Sequence, residues 1–230
     1  MKFKKIKILL IKMFHHHSKN TSCRVRAIHN VAKGPNVNVV VDGKIALSDV
    51  SYKAVSNYLK IPQGKHAIAI TSVDGLTVLT SAVVDLAAGK DYTVICHGNV
   101  QNLSSIALLA LMDNNSCPAA RKSHVRFIHA AATIPTVDIW ANMKTKVFSN
   151  VSYGKTGNPV YLPVDSGNIS LAAAPTGTTT VVLGPLPLRL DSKKTYTIIA
   201  TGLLNDEEAP LSVIVSEDNA CSTVHSHHFW

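Results

Sequence analysis

The chain has 230 residues, of which 46% are hydrophobic and 16% charged, with a formal net charge of +9 at pH 7. This composition excludes a disordered chain and is typical of a packed protein. Many of the lysines lie in the first twelve residues, and aromatic residues make up only 6% of the chain. We therefore predict no nucleic-acid partner, because such surfaces combine basic tracks with stacking aromatics.

The basic start of the chain resembles a secretory signal without completing one. Its apolar run, residues 8–11, is shorter than the roughly seven residues that a signal needs, and no small-residue cleavage site follows. Met1 and Met13 are alternative starts of the natural protein. No apolar run approaches the roughly 18 residues of a membrane-spanning helix. We therefore predict neither a membrane span nor a signal peptide.

Two halves of the sequence carry the same landmarks about a hundred residues apart. The corresponding segments are RVRAIH and HVRFIH at residues 24–29 and 124–129, Pro35 and Pro135, and KDYTVI and KTYTII at residues 90–95 and 194–199. A period of this length indicates a duplicated domain. The predicted units are a basic, histidine-rich tail (1–22), a first repeat (23–116), a second repeat (117–219) and a histidine-rich tail (220–230).

Within each half, short β-branched runs alternate with turn residues about every ten residues, a spacing typical of a β-sandwich or barrel. The predicted strands of the first half are 24–31, 36–41, 55–61, 65–72, 76–85, 90–97 and 104–112. Those of the second half are 124–131, 136–142, 159–163, 168–174, 179–188, 194–201 and 210–216. Asp42-Gly43 predicts a tight turn, since both residues tolerate positive φ.

Tyr92 and Tyr196 each follow a leucine by six residues, with turn residues between. This pattern is similar to the tyrosine corner of immunoglobulin-like Greek-key domains, where the hydroxyl bonds back to the backbone. The alternative is that both are ordinary half-buried strand residues, and either interpretation makes them structural. The predicted fold is therefore all-β, with two tandem immunoglobulin-like Greek-key β-sandwich domains.

The second half resembles an uncharacterised bacterial family of tandem β-sandwich repeats. The residues that carry the resemblance are VRFIHA at 125–130, Pro135, Val137, Asp138 and Ile139, and Tyr196, Thr197, Ala200 and Gly202. The resemblance covers most of the chain and implies a surface or extracytoplasmic role, with no catalytic residues to carry over. The first half departs from it, with Asn38 in place of the acid and Cys96 in place of Ala200.

His29, His129 and Asp138 are the candidates for acid–base chemistry inside the repeats. No nucleophile elbow, paired acidic cluster or phosphate-binding glycine loop accompanies them. A histidine without a second chemical partner rarely makes a site. We expect both histidines to end their strands and bond a neighbouring loop, so these residues are predicted to be structural and no catalytic residue is expected.

Three of the four cysteines lie at the repeat boundaries. Cys23, Cys117 and Cys221 are candidates for disulfides, and pairing any two leaves a third for a bond to another subunit. Reduced thiols throughout are the alternative. Cys96 lies in an apolar strand and is expected to be a small buried thiol.

Histidines and aromatic residues supply the remaining candidate sites. His15, His16, His17, His225, His227 and His228 could hold zinc, copper or nickel weakly, and no other cofactor is expected. Trp140, Tyr153 and Tyr161 could bind a ligand through loops at one end of a sandwich, although core packing explains a lone tryptophan equally well.

These observations favour a noncatalytic structural or adhesive protein of a cell, spore or virion surface layer or appendage. Copies would self-associate through edge strands, tails and intersubunit disulfides. The alternative is a module that binds a carbohydrate, a surface polymer or another ligand. An extracytoplasmic location, such as the spore surface, is expected.

Overall fold

A computed structural model describes residues 21–113 and 116–219. The described residues form β-strands joined by turns. The strands of the first repeat are β1 (Ser22–Ala32), β2 (Val37–Val41), β3 (Lys44–Val50), β4 (Leu59–Pro62), β5 (Gly64–Ser72), β6 (Val78–Leu86), β7 (Asp91–Asn99) and β8 (Asn102–Met112). Those of the second are β9 (Lys122–His129), β10 (Val137–Ala141), β11 (Thr145–Val151), β12 (Lys155–Thr156), β13 (Leu162–Asp165), β14 (Gly167–Pro175), β15 (Leu183–Leu190), β16 (Thr195–Thr201) and β17 (Ser212–Asp218).

Each repeat is a sandwich of two sheets. We call β4-β1-β7-β8 and β12-β9-β16-β17 the inner sheets, and β3-β2-β5-β6 and β11-β10-β14-β15 the outer sheets. The prediction of tandem all-β sandwiches is confirmed. The strand order differs from that of an immunoglobulin constant domain, whose seven strands divide four and three. Here β1 runs parallel to β7 inside its sheet, and β9 runs parallel to β16.

The first strand of each repeat occupies the middle of its sheet because it is buried on both faces. In β1, Val25 and Ala27 face the core of the first sandwich, where they join Val39 and Ile70 of the outer sheet. Ile28, on the opposite face, belongs to a different cluster that includes residues of the second repeat. A strand with two apolar faces cannot lie at an exposed edge without losing that burial.

The two inner sheets pack against each other. Ile28 and Ile95 of the first repeat form one buried cluster with Ile128, Ile199 and Ile214 of the second. The molecule is therefore a stack of four layers, in the order outer, inner, inner, outer. Within the described residues, no helix is long and apolar enough to cross a membrane.

The tight turn predicted at Asp42-Gly43 is present, with φ of 49° and 76°. Positive φ at both central residues is the type I′ geometry that suits a two-residue hairpin. The strand that follows, β3, was not predicted, and neither was its counterpart β11. Most β3 side chains are exposed, so the apolar run on which a strand prediction depends is missing.

Tyr92 and Tyr196 have the geometry of a tyrosine corner. The N–H of Ala87 donates to the Tyr92 hydroxyl at 3.0 Å, and the N–H of Asp191 donates to the Tyr196 hydroxyl at 3.1 Å. Each bond spans the connection between an outer and an inner strand. The tyrosines thus fix the crossovers from β6 to β7 and from β15 to β16.

Candidate functional site

A buried network of charged and polar side chains joins the two inner sheets. Arg26 in β1 donates through Nε to Thr93 at 2.9 Å, within its own repeat. Its two terminal nitrogens cross to the second repeat, where Nη1 donates to Ser216 at 2.5 Å and Nη2 donates to Asp218. The Arg26 side chain is 2% exposed. A guanidinium buried so deeply must be paired, because an isolated buried charge is very costly.

Arg126 in β9 makes the reciprocal contacts. Its Nε donates to Thr197 at 3.1 Å in its own repeat, and its Nη2 donates to Asp113 of the first repeat at 2.6 Å. Each arginine lies near the start of its repeat, and each aspartate lies at or beside the end of the last strand of its repeat. The two ion pairs between the repeats are therefore related by an approximate two-fold symmetry. The side chain of Arg126 is 0% exposed.

Two tyrosines complete the network. Tyr58 donates its hydroxyl to Asp113 and Tyr161 donates to Asp218, both at 2.6 Å. The guanidinium of Arg126 lies 4.8 Å from the centroid of the Tyr161 ring, a cation–π contact. Tyr161 was predicted to contact a ligand at a sandwich end. In the structure its hydroxyl bonds Asp218 and its ring lies against Arg126, two residues of its own repeat that in turn bond the first repeat.

Burial dominates the electrostatics of this network. It raises the pKa of Asp218, against the opposing effect of Arg26 and Arg126. Burial also raises the pKa values of both Tyr58 and Tyr161 well above their usual range. Perturbed groups often mark active sites, but ion-pair networks perturb pKa values too. These groups hydrogen-bond one another, so the arrangement suits a structural junction.

A second strip of contacts follows the same junction. Tyr52 bonds Thr201 of the other repeat at 2.8 Å, and in reciprocal fashion Tyr153 bonds Nδ1 of His97 at 2.9 Å. Burial raises the pKa of Tyr153 to about 12. Tyr153 was also predicted to bind a ligand, and here it joins the repeats. Lys33 reaches Asp206 across the outer part of the junction at 3.1 Å.

His29 and His129 each bond a loop carbonyl. His129 ends its strand as predicted, whereas β1 continues past His29 to Ala32. Nε2 of His29 lies 3.0 Å from the Pro35 oxygen, and Nε2 of His129 lies 2.9 Å from the Pro135 oxygen. Burial lowers the pKa of both imidazoles, so the neutral form donates to the carbonyl. The contacts match the structural role expected for the pair.

Asp138 is buried on the outer face of its outer sheet and organises the turn beside it. Its carboxylate accepts from Lys146 Nζ at 2.7 Å and from the backbone N–H of Asn150 at 2.9 Å. These donors lower its pKa to about 2. Asn38 holds the equivalent place in the first repeat, where its Oδ1 accepts from the N–H of Asp49 at 3.0 Å. Asp138 therefore stabilises the backbone of the neighbouring turn.

The structure shows which of the described cysteines are free thiols and which is disulfide-bonded, and the result differs from the prediction. Cys23 is a free thiol, 2% exposed, that donates to the Ile61 carbonyl at 3.3 Å. The prediction that it forms a disulfide is wrong in this structure, because the first strand buries it in the core. Cys96 is a free buried thiol as expected, and burial raises its pKa to about 12. Cys117 is disulfide-bonded.

The predicted metal ligands at His15, His16, His17, His225, His227 and His228 lie outside the described residues, as does Cys221. Across residues 21–113 and 116–219, no group of three or more histidine, cysteine, aspartate or glutamate side chains is placed to hold a metal ion.

A groove crosses the outer face of the second repeat. It has a volume of about 500 Å³ and is lined by Asn142, Asn168, Ile169, Ser170, Pro187, Leu188 and Arg189. Trp140 lies two residues before Asn142, half-buried on β10, with Lys146 Nζ 5.2 Å from the centroid of its ring. Trp140 thus lies next to the groove on a sheet face, away from the sandwich end where a ligand was predicted.

The outer edge strands of the two repeats differ. β6 and β15 occupy equivalent edges of their outer sheets, pairing only with β5 and β14 among the described strands. The register shows that Val83 faces Ala67 and Pro187 faces Ser170 at equivalent positions. Proline on an edge strand removes the N–H that another strand would use. The edge strand of the second repeat therefore carries proline at this position, and that of the first repeat does not, although β6 also lies beside β8 of the inner sheet.

The interdomain network was missed in the sequence. A signal was present, since Arg26 and Arg126 each lie between apolar residues of a strand at the same place in both halves. A charge inside an apolar strand requires a buried partner. The partners lie on strands of the other repeat, which no local pattern identifies.

Comparisons with known proteins complete this description. The chain is similar to two solved structures, and each alignment covers 80% of this chain. One is the Bacillus anthracis TIE protein, with 11% sequence identity and a TM-score of 0.26, and the alignment covers 34% of that protein's chain. The other is a structure of α-glucan recognition by family 41 carbohydrate-binding modules from streptococcal virulence factors. It has 10% sequence identity and a TM-score of 0.26, and the alignment covers 94% of its chain. Neither likeness is close enough to bear on function, and no curated protein matches. The model of a domain of unknown function, DUF4397, matches residues 23–140 and 123–227, and the chain belongs to this family with two copies of its domain.

Proposed function

We propose that the chain is a noncatalytic structural module that self-associates through β6, the edge strand of the outer sheet of its first repeat. The observation that carries this proposal is a difference between the equivalent edge strands of the two repeats. β15 contains prolines, which cannot donate a backbone hydrogen bond, and β6 contains none. An edge strand with unpaired backbone groups is a template for another strand, and proteins that remain monomeric usually protect such edges.

The register indicates which backbone groups of β6 are free. Val83 lies three residues before Leu86, which pairs with Gly64, and Pro187 lies three residues before Leu190, which pairs with Gly167. Proline is tolerated in an edge strand where its nitrogen faces away from the neighbouring strand. By equivalence, the N–H of Val83 points away from β5, and it is the group that we propose to bond a second copy.

The side chains around this edge favour association as well. Val83 is 70% exposed and Val78 is 61% exposed, next to the exposed Ala67 on β5. Burying exposed aliphatic side chains on association is favourable by roughly 25 cal/mol per Å². The strand contains one charged residue, Asp85, so little charge must lose its water.

A second β6 strand is the partner that suits this edge. In an antiparallel pair centred near Ala82, Asp85 of one copy lies opposite Leu79 of the other and no like charges meet. A parallel pair in register would place the two Asp85 carboxylates together, which is unfavourable. The antiparallel arrangement joins two four-stranded outer sheets into one continuous sheet about a two-fold axis.

The test replaces Val83 by proline, the residue at the equivalent position of the second repeat. Val83→Pro removes the outward N–H and leaves the β5 ladder intact, as Pro187 does. We expect the wild-type chain to form dimers that the variant does not form, measured by sedimentation velocity over a range of concentrations. Val160→Pro, at an exposed residue just before Tyr161 and outside the strands, is the matched control and should leave association unchanged.

Folding must be preserved for the comparison to be meaningful. Far-UV circular dichroism and the thermal midpoint of Val83→Pro should match those of the wild type. Val83→Lys supplies an independent test, because a lysine on an edge strand opposes pairing by charge and keeps the backbone N–H. If the wild-type chain stays monomeric, or if both Val83 variants associate as it does, the proposal is wrong.

This role is compatible with a place in an extracytoplasmic surface layer, such as a spore coat, which we propose as its location. The proposed contact through β6 does not use Cys23, which is a free thiol buried in the core of its sandwich.

A further inference from the structure

We infer that the groove on the outer face of the second repeat is a binding site for a carboxylated saccharide. The groove and β6 lie on the outer sheets of different repeats, at opposite ends of the four-layer stack. The inference is therefore independent of self-association through β6.

The groove presents hydrogen-bond donors. Asn142 uses its Oδ1 to accept the backbone N–H of Ser170 at 2.8 Å, which leaves its amide N–H groups for a ligand. Arg189 uses Nε for Asp191 at 3.1 Å, which leaves both terminal nitrogens, and its side chain is 77% exposed. Two planar donor groups, one of them charged, suit a carboxylate, which accepts two hydrogen bonds from a guanidinium.

The other lining groups suit the rest of a sugar. The Asn168 amide can both donate to and accept from hydroxyl groups, and the Ser170 hydroxyl can do the same. Pro187 supplies an exposed apolar surface between them. Because most of these residues are exposed, the groove is open and suits a section of a polysaccharide.

The hydrogen-bond donors of the groove occur in the second repeat and are replaced at the equivalent positions of the first repeat. By register, Asp85 occupies the position of Arg189 and Lys65 that of Asn168. Asp42 occupies the position of Asn142 in the equivalent turn. Two carboxylates thus stand where the second repeat has an amide and a guanidinium. Lys65 offsets one of these charges, and the first repeat lacks a guanidinium at this place, so each molecule is expected to bind at one site.

The test is a titration of the full-length protein with tri-galacturonate, followed by nuclear magnetic resonance of the backbone amides. Neutral maltotriose is the comparison ligand. We expect tri-galacturonate to shift the amides of residues 168–170 and 188–189, and maltotriose to bind at least about tenfold more weakly, because a charged hydrogen bond is lost.

Three variants locate the binding. Arg189→Ala should weaken tri-galacturonate binding at least about tenfold, and Arg189→Lys should restore part of it through the charge. Arg121→Ala, an exposed arginine outside the groove, is the matched control and should bind as the wild type. Sedimentation of Arg189→Ala should be unchanged, so that a failure of this inference is distinguished from a failure of self-association.

The inference is overturned if tri-galacturonate does not bind at millimolar concentration, or if maltotriose binds equally well. It is also overturned if Arg121→Ala and Arg189→Ala lose the same affinity, since the attraction would then be a general effect of positive charge.

Discussion

Arg126 is the residue on which the junction between the repeats depends most. Its side chain is 0% exposed, and it pairs across the interface with the buried Asp113 at 2.6 Å. Arg126→Met keeps much of the side-chain length and removes the charge. Asp113 then retains the hydroxyls of Thr93 and Tyr58 but lacks its closest cation. Removing one partner of a buried ion pair costs about 3–5 kcal/mol.

Such a loss is a large part of the roughly 5–15 kcal/mol by which domains are stable. We expect Arg126→Met to lower the free energy of unfolding by about 3–5 kcal/mol, measured by urea denaturation at pH 7 with circular dichroism. Adding Asp113→Asn should recover part of the loss, because the unpaired buried charge is then gone. Lys33→Met, at the exposed pair with Asp206, should have little effect.

The wild-type chain should unfold in a single transition, since the network and the apolar cluster tie the inner sheets together. Two separate transitions, or a loss below about 1 kcal/mol for Arg126→Met, as for an exposed ion pair, would refute this reasoning.

Three further predictions concern individual groups. The pKa of Asp138, about 2, lies below its unfolded value, so its contribution to stability is present above about pH 4 and is lost as the pH falls towards 2. Asp138→Asn should flatten the decline in thermal midpoint over that range, and an unchanged decline would contradict it. Burial lowers the pKa of His129, so stability should fall as the pH drops below about 6.5. In His129→Gln, urea denaturation between pH 7 and 5 should show a smaller fall than in the wild type. Cys23 and Cys96 are buried thiols with raised pKa values, so both should react with a thiol reagent only on unfolding. Mass spectrometry of labelled native protein would detect any earlier modification.

Much of the fold was predictable because its signals are local. β7 and β16 are continuous runs of apolar and threonine residues that end near a glycine, and their homologous sequences reveal the duplication. β3 was missed because most of its side chains face solvent, and β11 because its buried residues, Phe148 and Val151, are three apart and do not alternate. Cys23 shows a different error, since its place at a repeat boundary suggested a disulfide, while the first strand buries it as a free thiol in the core.

The candidate site was harder to predict because it depends on how the repeats pack. Tyr153 and Tyr161 are aromatic residues near turns, a pattern that fits a ligand site and an interface equally well. The stacking of the inner sheets decides between them, and it places both tyrosines between the repeats. The groove joins Asn142 to Arg189 through strand register, which brings together residues distant in the chain.

Sedimentation velocity of the wild-type chain beside Val83→Pro and Val160→Pro tests the proposed function most directly. We predict that the wild type and Val160→Pro form dimers with increasing concentration and that Val83→Pro, folded to the same extent, remains monomeric. A wild-type chain that sediments as a monomer at every concentration would contradict a role in self-assembly through β6.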